Sequence, residues 1–397
     1  MNYQLTKNNK ILCFVMMAIG IISIAASFMS HSHQVWPNLL MNSFFFLAIS
    51  LGGLFFVAIQ YASNAGWAIA IKRIPEAMAA YLPFGGVILL IIIIFGGHHL
   101  YHWMHHDLYV EFLPDGSPNP EYDSILAGKS AFLNAPFFYV RLVVYLVVWI
   151  GLGYLIRKNS VEEDKNGGLM YYKKNVKLSA LFLVLFGITS SMAAWDIIMS
   201  IDSHWYSTLF GWYTFAGLFI SALTMMGLLL VYLKSRGYMP DVNENHLHDV
   251  GKFMFAFSIF WTYLWFAQFM LIWYANIPEE ITYFLTRIDD YRWLFWGMFL
   301  INFFVPFLIF MTADAKRKSK VVAFVGVVIF CGHWVDAFVM VMPGTVGHEW
   351  HIGWMEIGTT LGFLGLFLFV TLTALTKASL ISKNHPYLGE SLHHQTM

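Results

Sequence analysis

The sequence predicts an all-α integral membrane protein with about ten transmembrane helices. Of its 397 residues, 58% are hydrophobic and 12% are charged, whereas an ordinary soluble domain has about 25% charged residues. A soluble protein of this composition could not cover its surface with polar groups, so lipid must be the solvent for much of the chain. The net charge is zero, which gives no electrostatic reason to expect a nucleic-acid partner. Membrane lipid is the first partner that the composition predicts.

Ten apolar stretches have the length that a membrane-spanning helix needs, about 20 residues for a 30 Å hydrocarbon core. The first stretch follows two lysines and could pass for a signal peptide. It is longer than the usual apolar region of such peptides, and Ala25-Ala26-Ser27 is a weak cleavage site, so we interpret it as a retained helix. Predicted helices 1 to 10 cover residues 11–29, 39–62, 82–101, 135–156, 178–196, 212–233, 252–274, 291–311, 321–342 and 354–375.

Basic residues alternate from loop to loop and predict the orientation. Of the 23 Lys and Arg residues, only Lys129 and Arg287 fall in loops on the side opposite the termini, and two more lie just inside helix ends. Because cytoplasmic loops carry the excess of Lys and Arg, we expect a bacterial inner-membrane protein with both termini in the cytoplasm. Residues 1–397 then form a single membrane domain, with 157–177 as a solvated inner linker and 102–134 as an ordered outer cover or docking loop.

A faint internal repeat groups the helices. Tyr139-Val140-Arg141 opens helix 4 and Tyr291-Arg292 opens helix 8, while Trp195-Asp196 ends helix 5 and Trp334-Val335-Asp336 lies near the outer end of helix 9. An offset of four helices preserves orientation, so the repeat is of the parallel kind. It predicts two tandem four-helix bundles, flanked by helices 1 and 10. The first bundle, helices 2–5, spans residues 39–196, and the second, helices 6–9, spans residues 212–342.

Four titratable side chains fall in the outer half of the predicted helices: Arg141, Asp196, His333 and Asp336. Ionisable groups inside a membrane cost about 2.5–3.5 kcal/mol on insertion scales, so each needs a reason. They could form a quinone or proton-relay site, in which a histidine accepts a proton and a carboxylate relays it. They could instead be structural, with an Arg–carboxylate pair locking two bundles together and His333 bonded to a backbone carbonyl. We expect Arg141 with Asp196 to be structural and His333 with Asp336 to be functional.

A run of histidines ends predicted helix 3. His98, His102 and His106 have the i, i+4 spacing of one helical face, which can bind zinc, collect protons, dock a partner or simply lie at the interface. His99 in this run joins the quinone or proton-relay candidates. The run lacks a nearby cysteine, and we predict no metal site.

Only two cysteines occur, Cys13 and Cys331, and both lie in apolar stretches. They cannot form a haem-attachment motif or an iron–sulfur ligand set. We therefore expect no cofactor held by this chain itself, apart from a bound quinone or quinol.

Five longer runs carry a family resemblance: Trp195–Trp205, His248–Met254, Trp273–Glu280, His333–Asp336 and His385–His394. They resemble the NrfD-like (polysulfide-reductase-like) membrane subunits of alternative complex III, a similarity that covers essentially the whole chain. The resemblance implies a doubled four-helix bundle in a quinol:electron-acceptor oxidoreductase. It also implies electron transfer to cytochrome c or a haem–copper oxidase, coupled to proton translocation.

The same resemblance implies a set of partners. They are a paralogous NrfD-like subunit (ActC), a multihaem cytochrome (ActA), an iron–sulfur subunit (ActB), a further subunit (ActD) and a monohaem cytochrome (ActE), with a haem–copper oxidase in a supercomplex. Haem c and iron–sulfur clusters would belong to these partners, so the chain is not expected to be catalytic alone.

Two alternative functions stay open on the sequence. The chain could be a structural and proton-path subunit without its own quinone site, the paralogue performing the chemistry. It could also be a stand-alone secondary transporter, which is compatible with ten helices and a parallel repeat. Helices broken by Gly or Pro at mid-membrane would favour a transporter, and Pro306 in helix 8 is the main candidate for such a break.

Overall fold

The protein is described by a computed structural model that covers residues 3–30 and 32–395. Ten helices in this part are long and apolar enough to cross a membrane, which confirms the prediction of an all-α multi-pass membrane protein. Residues 1, 2, 31, 396 and 397 of the predicted single domain lie outside the described residues. Helices 1 to 10 are Lys7–Met29, Val35–Ala62, Arg73–Leu100, Ala135–Asn166, Leu169–Ile201, Leu209–Ser235, Glu244–Ala275, Arg292–Ile309, Ser319–Thr345 and Trp354–Thr376.

The helices pack as two rings of four that meet along a seam. In the first ring helix 2 contacts helices 3 and 5, and helix 4 contacts the same two neighbours. In the second ring helix 6 contacts helices 7 and 9, and helix 8 contacts the same two. Helices 2 and 6 pack against each other between the rings. Each ring therefore encloses an interior away from lipid, where polar side chains need protein partners.

Helices 1 and 10 form a separate pair beside the rings. A Cβ atom added at Gly20 would lie 2.4 Å from the Cα of Gly362, so the two backbones touch. Small residues permit this close approach of membrane helices. Helix 1 has few contacts with any other helix. The two helices are antiparallel, since Gly365 lies against Met16 and Gly358 against Ser23, so the start of helix 1 and the end of helix 10 lie at the same end of the molecule. We call that end the terminus side and the other end the opposite side.

Helices 4 and 5 extend much further than the sequence indicated. Helix 4 continues to Asn166, and helix 5 begins at Leu169. The break is confined to Gly167 and Gly168, whose φ angles of 65° and 78° suit glycine because it has no Cβ atom. The prediction that 157–177 is a solvated linker is wrong, since most of these residues are helical and Glu163 is fully buried.

The connections on the opposite side fold over the ends of the helices. The 102–134 connection contains a short helix, Ser124–Lys129, capped by the side chain of Asp123. Lys129 Nζ donates a hydrogen bond to the carbonyl of Ser203 at 2.8 Å, and His204 Nε2 lies 2.5 Å from Asp123 Oδ2. These contacts fix the long connection onto the loop that joins the two rings.

Candidate functional site

The first ring holds a closed ion pair between helices 4 and 5. Arg141 donates from Nε to Asp196 Oδ2 and from Nη2 to Oδ1, both at 2.8 Å. Tyr145 also donates to Asp196 at 2.7 Å, and the guanidinium carbon lies 3.9 Å from the ring centre of Phe132 and 4.3 Å from that of Phe137. A bidentate pair of this kind satisfies both charges, and arginine does not release its proton. Both partners belong to the first ring, so the pair does not join one bundle to the other.

The second ring holds a carboxylate without such a partner. Asp336 on helix 9 is 1% exposed. Its Oδ1 accepts a hydrogen bond from the hydroxyl of Tyr213 on helix 6, and its Oδ2 accepts one from Trp261 Nε1 on helix 7 at 3.0 Å. Helices 6, 7 and 9 therefore converge on one titratable group. By the helical rise of 1.5 Å per residue, Asp336 lies about 14 Å from the opposite-side end of its helix.

A histidine, His333, also lies close to Asp336. It lies one helical turn before Asp336, with Nδ1 3.5 Å from Asp336 Oδ2. That distance is beyond the range of a usual N–H···O bond. Neither ring nitrogen has a hydrogen-bond partner in the described chain, so the predicted bond to a backbone carbonyl is not made. The imidazole packs edge-on against Trp261.

Glycines make the space that this site needs. A Cβ atom at Gly217 would lie 3.6 Å from Asp336 Oδ2. One at Gly332 would lie 2.0 Å from the Oδ1 atom of Asn302 on helix 8, so that amide can pack against helix 9 at this level only because residue 332 is glycine. All four helices of the second ring thus contribute to one polar interior.

Further polar atoms in this interior lack protein partners. Both amide atoms of Asn302 and the hydroxyls of Ser258 and Thr224 are fully buried and make no hydrogen bond within residues 3–30 and 32–395. Leaving such a group unpaired costs about 1–3 kcal/mol, and protein interiors usually satisfy them with ordered water. Asn302, Ser258 and Thr224 are therefore three separate positions on helices of the second ring where ordered water would complete the hydrogen bonding.

On the opposite side, a small cavity connects the site to an ion pair. The cavity measures about 20 Å³ and is lined by Tyr213, Gln268, Tyr283 and Arg287, among others, a size that suits one water molecule. Gln268 Nε2 has no hydrogen-bond partner in the described residues. Arg287 in turn lies 3.1 Å from Asp202 Oδ2.

Arg287 was assigned from the sequence to an outer loop, but it is 2% exposed. It belongs to a surface helix, Pro278–Asp289, and its guanidinium lies 3.3 Å from the ring centre of Tyr283. Its nitrogens also donate to the carbonyls of Val339 and Tyr283. The only signal in the sequence is the amphipathic spacing of this short helix, which places Tyr283, Phe284 and Arg287 on one buried face.

The terminus side of the first ring contains a buried charge network that the sequence reading missed. Lys72 Nζ lies 3.3 Å from Glu163 Oε2. Burial by itself would lower the pKa of Lys72, but the Tyr61 hydroxyl and the carboxylates of Glu76 and Glu163 outweigh it and raise that pKa. Lys72 therefore stays charged. These residues lie near helix ends, where hydropathy predicts that charged side chains are exposed to solvent.

Arg73 extends the same network. It pairs with Glu76 at 2.7 Å and with Asp164 at 2.5 Å. Its Nη1 also donates to Ser160 Oγ at 3.0 Å. Opposite charges thus face each other throughout the network, which makes it a structural clamp between helices 3 and 4.

The histidine run after helix 3 does not form a single helical face. Helix 3 ends at Leu100, and the next residue has extended backbone angles, φ −121° and ψ 108°. The predicted i, i+4 alignment of His98, His102 and His106 is therefore wrong. No three His, Cys, Asp or Glu side chains in the described chain are grouped so that they could hold a metal ion.

The structure separates the five candidates predicted from the sequence into three places. Arg141 and Asp196 meet in the first ring, and His333 and Asp336 meet in the second. His99 joins neither pair, because it is exposed on the opposite side and stacks on Trp36 at 6.2 Å. Sequence reasoning missed Tyr213 and Trp261, which come from other helices and contact His333 or Asp336. It also missed Asn302, which packs against Gly332 next to His333 in the chain.

Comparison with known proteins gives no assignment for this chain: no protein-family model matches it, and no curated protein matches it significantly.

Proposed function

We propose that the chain is the proton-handling membrane subunit of an alternative-complex-III-type quinol oxidoreductase. The observation that carries the proposal is the buried pair of His333 and Asp336, with its hydroxyl, indole and amide surroundings in the second ring. Membership of the complex rests on the sequence runs that resemble NrfD-like subunits. Two four-membered helix rings are compatible with the doubled bundle of that family.

Charge balance explains why this pair would carry a proton. An ionised carboxylate in a low-dielectric interior is costly unless it is paired. Among the described residues no Lys or Arg forms an ion pair with Asp336, so the site is neutral in either of two forms, a carboxylic acid beside neutral His333 or a carboxylate beside protonated His333. Both forms hold one proton. A transfer between them keeps the net charge of the ring interior unchanged, which is what a relay station requires.

The neighbouring polar atoms supply a direction for the transfer. Towards the opposite side, Tyr213 borders the water-sized cavity that is also lined by Arg287, which is paired with Asp202. Towards the terminus side, Ser258 and Thr224 offer unpaired hydroxyls. A proton entering from the terminus side would therefore reach His333, pass to Asp336, and leave past Arg287.

Dimensions favour proton handling over quinol binding at this site. Tyr213, Trp261 and Gly217 all approach the carboxyl group of Asp336 closely. The adjoining cavity of about 20 Å³ suits one water, whereas pockets for ligands the size of a quinone ring are typically about 300 Å³ or larger. We therefore propose that the paralogous subunit oxidises quinol and that this chain couples protons to the reaction.

A stand-alone transporter is the weaker alternative. Helix 8 is not interrupted at mid-membrane, because Pro306 lies in its last turn and the carbonyl of Pro306 accepts the backbone bond from Phe310. The broken helix that would favour a transporter is thus not found at the predicted position.

Purification in a mild detergent tests membership of the complex. A tagged full-length chain isolated from its native membrane should bring down multihaem and monohaem c-type cytochromes and an iron–sulfur protein in fixed ratio. Isolation of the chain without any redox protein, under conditions in which other respiratory complexes stay intact, would contradict membership.

Substitution of Asp336 tests the proton-handling role. In proteoliposomes containing the purified complex, Asp336→Asn should assemble normally and lose proton translocation per electron transferred. The matched control, Asp314→Asn, changes an exposed carboxylate and should leave translocation unchanged. Normal coupling in Asp336→Asn would refute the role, and the chain would then be a scaffold.

A further inference from the structure

A large apolar groove separates the helix 1–helix 10 pair from the second ring. Its volume is about 420 Å³, and helices 1, 6, 9 and 10 line it with leucine, methionine, valine and phenylalanine side chains. On helix 10 the lining runs from Leu364 to Leu372, about 12 Å at 1.5 Å per residue. Apart from Leu364, which lies near the middle of helix 10, the lining residues lie in the terminus-side half of their helices. The groove is thus long and almost wholly apolar, and it opens from within the membrane.

Polar atoms occur at one end of this groove only. Asn9 and Tyr232 are lining residues at that end. Asn9 Nδ2 donates to the hydroxyls of Tyr232 at 2.5 Å and Tyr3 at 3.2 Å, and the two hydroxyls are 3.3 Å apart. One hydroxyl proton is used between the two tyrosines, and within residues 3–30 and 32–395 the other O–H has no acceptor, so it is available as a donor to a bound ligand.

Positive charge surrounds the same end. The guanidinium of Arg236 lies 5.9 Å from the ring centre of Tyr232. Lys10 directly follows Asn9 and is exposed. A guanidinium near a hydroxyl donor, with an exposed lysine one residue beyond Asn9, offers the chemistry that recognises a phosphate group, and juxtamembrane Lys and Arg residues attract anionic lipids.

We propose that the groove is a binding site for one anionic phospholipid of the terminus-side leaflet. An acyl chain fills the apolar length between helix 10 and the second ring. The phosphate lies at the Asn9–Tyr232 end, where it accepts a hydrogen bond from the free hydroxyl. Its negative charge is balanced by Lys10 and Arg236. The charge arrangement selects this occupant over a neutral isoprenoid tail, which would gain nothing from the two cations.

Such a lipid would also have a structural role. Helix 1 is held mainly by its glycine contacts with helix 10. A bound acyl chain packs against both helices of this pair and against helices 6 and 9, and so joins the pair to the second ring. The proposal is independent of the redox function, since it concerns a different surface of the chain.

Native mass spectrometry of the full-length chain tests the site. After delipidation in detergent, wild-type protein should retain one phospholipid with an anionic headgroup. Leu368→Trp places an indole in the groove and should reduce the lipid-bound fraction at least tenfold. The control Leu300→Trp, at a position 52% exposed on helix 8, should retain the lipid, and Arg236→Gln should lower the preference for anionic over zwitterionic headgroups.

Cross-linking of wild-type protein gives a second readout that does not depend on the folding of a variant. A phosphatidylglycerol analogue with a photoreactive acyl chain should label the helix 1 peptide that contains Cys13 and the helix 10 peptide that contains Leu368. Loss of all phospholipid from the wild type, equal retention by Leu368→Trp, a retained quinone in place of phospholipid, or labelling spread evenly over lipid-facing helices would each overturn the proposal.

Discussion

Asp196→Asn should destabilise the first ring severely, because it removes one partner of a buried ion pair. Asp196 receives two charge-assisted hydrogen bonds from Arg141 and one from Tyr145, and it is 1% exposed. The asparagine leaves the guanidinium without a counter-charge in a low-dielectric site. Loss of one partner of such a pair costs about 3–5 kcal/mol, which is a large part of the 5–15 kcal/mol that stabilises a typical protein.

A fluorescent-protein fusion analysed by size-exclusion chromatography after a temperature series measures this loss. Asp196→Asn should give a lower yield of monodisperse protein and a lower melting temperature. The double variant Arg141→Leu/Asp196→Leu should recover part of the stability, because it removes both charges together. The control Asp314→Asn breaks an exposed pair at 3.6 Å and should cost less than about 1 kcal/mol. Wild-type stability in Asp196→Asn would refute the reasoning.

Three further predictions follow from other parts of the structure. Tyr213→Phe removes a donor to Asp336 and should slow coupled proton transfer about tenfold, since a hydrogen bond to a charged group contributes about 1.5 kcal/mol; an unchanged rate of proton release would contradict this. Burial, together with Lys72 and Arg73, lowers the pKa of His385 to about 2, below the value of about 6.5 in an unfolded chain. Docking of the C-terminal segment, residues 385–395, should therefore weaken as the pH falls below 6.5, by about 1.4 kcal/mol per pH unit. Proteolysis of this segment should accelerate as the pH is lowered from 7.5 to 5.5 in the wild type but not in His385→Gln. Cysteines placed at Lys165 and Glu111 should react with impermeant reagents from opposite sides of intact spheroplasts, Glu111 from outside. Labelling of both from outside would contradict the assignment of these two positions to opposite sides.

The number of helices could be predicted because length and hydropathy are local properties. Each crossing needs about 20 apolar residues, and that requirement can be read from one stretch of sequence at a time. The same approach failed at Glu163 and Lys72, which it placed in solvent near helix ends. Their burial depends on each other, and they are 91 positions apart in the chain. Hydropathy cannot report such a pairing.

The candidate site was predictable in part for the same reason. His333 and Asp336 stand out because titratable residues are rare in apolar stretches, and their separation of three places them on one helical face. Tyr213 and Trp261 do not stand out, because aromatic residues are common throughout this chain. Their role depends on the packing of helices 6, 7 and 9. Asn302 depends in addition on the absence of a side chain at Gly332.

The protonation state of Asp336 during turnover is the quantity that tests the central proposal most directly. Infrared difference spectra of the purified complex, recorded on addition of quinol, should contain a carboxyl C=O band that shifts or disappears as the proton leaves Asp336. That band should be missing from the Asp336→Asn complex and retained in the Asp314→Asn complex. Identical carboxyl bands in the wild-type and Asp336→Asn spectra would show that Asp336 does not exchange a proton during turnover, and would contradict the proton-handling role.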